Sequence, residues 1–78
     1  MKSADSLHHD ILNRLDDINQ IIEKGISVFN EHKNNPDYSF YYRSGFYTVI
    51  SLKSELDSYK AEKQLLENLC DFYGQFIN

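Results

Sequence analysis

The sequence predicts an all-α fold: an antiparallel helical hairpin with a long second helix, assembling into a homodimeric helical bundle. Three observations carry that expectation. Two stripes of apolar residues recur at helical spacing, one strong turn signal separates them, and the second stripe is much longer than the first.

The first helix is expected over about residues 6–33. Leu7, Ile11, Leu15, Ile18, Ile22 and Phe29 recur at steps of three or four, with Gly25 in the remaining slot. That is a repeat of about 3.5 residues. Leu12, Ile21, Ile26 and Val28 widen the stripe, as in a bundle helix. Ser3, Asp5 and Ser6 are all competent N-caps. Asp10 and Arg14 stand one turn apart and suit a solvated ion pair. His32 and Lys33 bring basic groups to the last turn, where they complement the helix dipole.

The turn falls at residues 34–36, in Asn34-Asn35-Pro36-Asp37. Asn34 suits a left-handed residue ending the first helix. Asn35 suits an N-cap, with Pro36 in the first helical position and Asp37 next. So short a connection makes the helices antiparallel.

The second helix is then expected over about residues 36–76. Its stripe reads Tyr42, Gly45, Val49, Leu52, Leu56, Tyr59, Lys63, Leu66, Cys70, Tyr73 and Ile77. The stretch Asp37–Tyr47 that opens it holds six aromatic residues out of eleven. Its Tyr, Phe, Thr and Val content also allows a strand over Ser39–Leu52. Alternation fails there, because Phe40-Tyr41-Tyr42 and Val49-Ile50 are adjacent apolar residues, and helix is preferred.

Folding the helices about Asn34-Asn35 matches the stripes. Phe29 faces Tyr42, Gly25 faces Gly45, Ile22 faces Val49, Ile18 faces Leu52, Leu15 faces Leu56, and Ile11 faces Tyr59. Each pair of numbers sums to 70 or 71, as an antiparallel pair requires. Beyond Leu7 and Lys63 the first helix is used up. A continuous second helix would then overhang by roughly 15–20 Å at ~1.5 Å per residue. The overhang carries Leu65, Leu66, Leu69, Cys70, Phe72, Tyr73, Phe76 and Ile77, and these form the predicted self-association interface. The alternative is a monomeric three-helix bundle, with a break at Asp57-Ser58-Tyr59-Lys60.

Composition bounds the function. Seventy-eight residues make one domain, 1–78, with a small core. Cys70 is the only cysteine, so no intrachain disulfide forms, and the usage fits a reducing compartment. The net charge of −4 is spread without blocks and offers no basic footprint for nucleic acid. No run approaches the ~18 apolar residues of a membrane span. The first six residues lack the apolar centre of a signal peptide. The expected place is the cytoplasm, with no membrane association.

No residue pattern points to catalysis, a metal or a cofactor. His8 and His9 diverge by about 100° on a helix and cannot chelate one ion together. They and His32 read as solvated. Cys70 lies on the apolar stripe and reads as a small hydrophobe. No stripe position carries an acid, as a carboxylate metal site in a bundle would need. Tyr42 and Phe46 are expected to face inward. Tyr38, Tyr41, Arg43 and Tyr47 remain on other faces, as the residue types enriched where proteins bind. The expected function is non-enzymatic: a small helical interaction or regulatory protein acting as a homodimer or higher homo-oligomer. The alternatives are a purely structural self-assembling subunit, and a phage- or plasmid-type accessory protein that modulates a host protein.

Overall fold

The computed structural model describes residues 4–76. Four elements follow in order: α1 (Ala4–His32), β1 (Phe40–Tyr42), β2 (Gly45–Tyr47) and α2 (Val49–Gly74). Two long antiparallel helices make a rod of 50 × 20 × 17 Å. The helical hairpin holds as expected, and its connection does not.

α1 forms where the first stripe predicts it, with Ile18, Ile22 and Gly25 buried. Ser3 lies outside the described residues, while Asp5 and Ser6 fall inside the helix. After His32 the backbone makes two successive turns, with Asn35 N donating to His32 O and Tyr38 N donating to Asn35 O, both at 3.0 Å. Asn34 is not left-handed, since Arg43 is the only non-glycine with positive φ among the described residues. Asn35 and Pro36 cap no helix.

The expected helical start at residue 36 is corrected here. Residues 40–47 form a two-stranded antiparallel hairpin, and α2 begins at Val49. Phe40 pairs with Tyr47, Tyr41 with Phe46, and Tyr42 with Gly45. Period two does operate in Phe40-Tyr41-Tyr42, whose burial runs buried, exposed, half-buried. It was hidden because aromatic residues occupy both faces of the hairpin. Thr48 then starts α2 with a capping box. Ser51 N donates to Thr48 Oγ1 at 3.1 Å, and Thr48 N donates to Ser51 Oγ at 2.9 Å. Such a cap contributes about 1 kcal/mol.

The hairpin's length changes the register between the helices. Gly25 faces Leu56, not Gly45, and a Cβ on Gly25 would collide with Leu56 Cδ2. The glycine therefore lets α2 approach α1 closely. Arg14 bonds to Glu62, and His8 reaches Cys70 and Gly74. These contacts shift the matching by about two turns from the pairs that sum to 70 or 71. Two expectations fall with it. α2 ends level with the start of α1, so among the described residues there is no C-terminal overhang. It also runs unbroken through residues 57–61, so the described residues form no third helix.

The core is small. Phe40, Val49, Leu52 and Leu56 cluster together, joined by Val28, Phe29, Tyr42 and Tyr47, and Ile18 and Leu52 are the most deeply buried. The hairpin lies back along the two helices, and its inner face completes this core.

Candidate functional site

Two groups of residues stand out as predicted sites, and the structure divides both.

The first is the aromatic hairpin. Its tip is the two-residue loop Arg43-Ser44, where Arg43 adopts φ 58°, a left-handed conformation. For a residue with a Cβ this costs roughly 1–2 kcal/mol. The side chain offsets part of that cost. Arg43 donates to Glu55 Oε1 at 3.5 Å and to the Tyr59 hydroxyl at 3.4 Å. The Tyr59 hydrogen bond raises the Arg43 pKa above its ordinary value. Tyr47 donates to Glu55 as well, and that bond, together with burial, pushes its phenol up. Arg43 and Tyr47 thus clamp the hairpin to α2.

Tyr38 and Tyr41 are exposed. Tyr38 stacks on His32, at 5.7 Å between ring centroids. His32 also lies flat on Phe40 at 4.1 Å, so it is half-buried packing and not the solvated group expected. Tyr41 meets Phe46 edge-on at 5.3 Å. Phe46, expected to face inward, is 77% exposed, because it pairs with Tyr41 on the outer face of the hairpin. The exposed aromatic pair is therefore Tyr41 with Phe46. Register in the hairpin identifies Phe46; a helical reading could not.

The second group is the C-terminal apolar set. Leu66, Cys70 and Tyr73 turn toward α1 and are half-buried. Cys70 Sγ lies 3.2 Å from His8 Nε2, so His8 too is partly enclosed, in place of the solvated position expected. Leu65, Leu69, Phe72 and Phe76 turn away and stay exposed, with Phe76 against Phe72 at 5.5 Å. Ile77 lies outside the described residues.

The outer side of α2 extends beyond that set. Ile50 is 74% exposed and falls on the same side, as do Ser54, Ser58 and Ala61. Ile50, Ser54, Ser58 and Ala61, with Lys53 and Asp57 at the edge, line a groove of about 480 Å³. This face lies opposite Val49, Leu52 and Leu56, which pack inward. α2 is apolar on two opposite sides.

A cleft of about 380 Å³ separates α1 from the hairpin tip, lined by Arg14, Asp17, Gln20, Ile21, Lys24, Tyr42 and Arg43. Its charges are balanced. Arg14 is bidentate to Glu62, at 2.9 and 3.3 Å. The pair raises the Arg14 pKa and lowers that of Glu62 through their hydrogen bond. Arg43 is held by Glu55, and Asp17 lies in the cleft itself.

Among the described residues, no three His, Cys, Asp or Glu side chains are grouped to hold a metal ion, and no helix is long and apolar enough to cross a membrane. Comparison with known proteins finds no family model, no curated protein and no solved structure that matches this chain.

Proposed function

We propose that this is a non-enzymatic helical interaction protein of the cytoplasm that acts as a homo-oligomer. One observation supports the reading: the outer side of α2 bears Ile50, Leu65, Leu69 and Phe72, with Phe76 just past its end, exposed along a helix whose other side already forms the core. Side chains of that size, exposed in a row, mark a surface made to be covered. The oligomer in this reading rests on a face of α2 and not on an overhanging end.

The test is the mass in solution of the native chain and of Leu65→Glu/Leu69→Glu. The reading requires a multiple of 9.2 kDa that falls to one chain in the variant, with helical content unchanged. A native monomer at high micromolar concentration contradicts it.

A second reading draws on the hairpin. Tyr41 and Phe46 form an exposed aromatic pair on a clamped, rigid support, the arrangement that suits docking of another protein. In that reading the oligomer presents Tyr38, Tyr41 and Phe46 to a partner of regulatory or host-protein type. Capture of a binding protein by the native chain, lost with Tyr41→Ala/Phe46→Ala, is the expected result.

A further inference from the structure

We infer that the outer face of α2 packs on the same face of a second copy, antiparallel, about a two-fold axis at Ala61. This rests on the self-association reading and adds the register.

The face has two unlike halves. Its N-terminal half is hollow: Ser54, Ser58 and Ala61 are small, and the groove of about 480 Å³ lies over them. Its C-terminal half is a ridge of Leu65, Leu69 and Phe72, continued by Phe76 past the helix end. An isologous interface brings each half against the other half of its copy. Antiparallel packing about Ala61 sets Leu65 beside the partner's Asp57 and Ser58, Leu69 beside the partner's Lys53 and Ser54, and Phe72 at the partner's Ile50. Ala61 meets the partner's Ala61. Leu65 and Leu69 thus stand over the small residues of the partner's hollow, and Phe72 meets the partner's Ile50. Because Ala61 lies near the middle of Val49–Gly74, the two helices overlap over nearly their full length.

The area also fits. With an aromatic side chain presenting 150–250 Å², Ile50, Leu65, Leu69, Phe72 and Phe76 expose on the order of 500 Å². A stable interface of standard size takes about 800 Å² per partner, about 60% of it apolar. An overlap of the C-terminal ridges alone, with its axis between Leu69 and Phe72, would leave Ile50 and the groove uncovered.

The register is tested by disulfide trapping in the full chain carrying Cys70→Ser. Helix axes pack at about 8–10 Å and Cα atoms lie about 2.3 Å from their axis. A residue facing its own copy is then inside the ~7 Å limit for a disulfide. Ala61 is exposed, so Ala61→Cys leaves the fold intact. Under mild oxidation Ala61→Cys is expected to form a covalent dimer about tenfold faster than Phe72→Cys, which lies far from its own copy. Ile50→Cys mixed with Phe72→Cys should give a cross-link that neither gives alone. A chain that is dimeric by mass, yet traps through Phe72→Cys and not through Ala61→Cys, overturns the register and leaves self-association standing. A monomeric mass overturns both.

Discussion

The two helices are of similar length and unlike in construction. α1 has one apolar side, filled by Ile18, Ile22 and Gly25, and its exposed apolar residues, Leu12 and Ile26, stand singly, about four turns apart. α2 buries Val49, Leu52 and Leu56 on one side and exposes Ile50, Leu65, Leu69 and Phe72 on the other, with Phe76 just past its end. α1 is satisfied by its own chain. α2 has a core face for α1 and a second face to which the described residues offer no neighbour. The surplus apolar surface thus lies along the side of α2 rather than at its end, and an interface covering it would run along the rod.

The largest expected effect lies on the shared core. Leu52 is 1% exposed, and Leu52→Ala should cost about 2–5 kcal/mol, read as a lowered urea midpoint. Next comes the contrast between outer faces. Leu65→Glu/Leu69→Glu should dissociate the oligomer while circular dichroism stays helical. The matched pair Leu12→Glu/Ile26→Glu on α1 should leave the mass unchanged. Equal effects from both pairs would abolish the distinction between the helices.

A smaller effect is expected at the hairpin tip. Arg43→Gly removes a left-handed strain of roughly 1–2 kcal/mol and an exposed ion pair worth about 0–1 kcal/mol. The terms oppose, so overall stability should change little. Amide exchange at Gly45–Tyr47 should nevertheless accelerate, since the clamp on Glu55 and Tyr59 is gone.

The smallest effect is on acid stability. Arg14 lowers the folded-state pKa of Glu62. That contribution is present above the ordinary glutamate pKa and lost as pH falls through the lowered folded value. Arg14→Gln should remove it. Its acid titration should therefore lack the small loss of stability that the native chain shows below the usual carboxylate range.

The sequence shows these features unequally. The stripe from Leu7 to Phe29 is legible because one face is buried and the rest is polar. The hairpin is not, because Tyr41 and Phe46 are aromatic on the exposed face and conceal the alternation. Its turn holds Arg43-Ser44 in place of a glycine-led pair, which removes the usual hairpin signal. The one local cue is Thr48 with Ser51 three residues on, a capping pair that marks the true start of α2. A helix that starts before this cap is too long at its N-terminus and displaces the pairing by about two turns. The expected overhang follows from that displacement. Leu65, Leu69, Phe72 and Phe76 keep their interest for a different reason, the direction they face.

Sedimentation equilibrium of the native chain beside Leu65→Glu/Leu69→Glu tests the central claim most directly. The two-faced α2 predicts a native mass of twice 9.2 kDa, falling to 9.2 kDa in the variant with its helical signal intact. A native mass of 9.2 kDa across the micromolar range would contradict it.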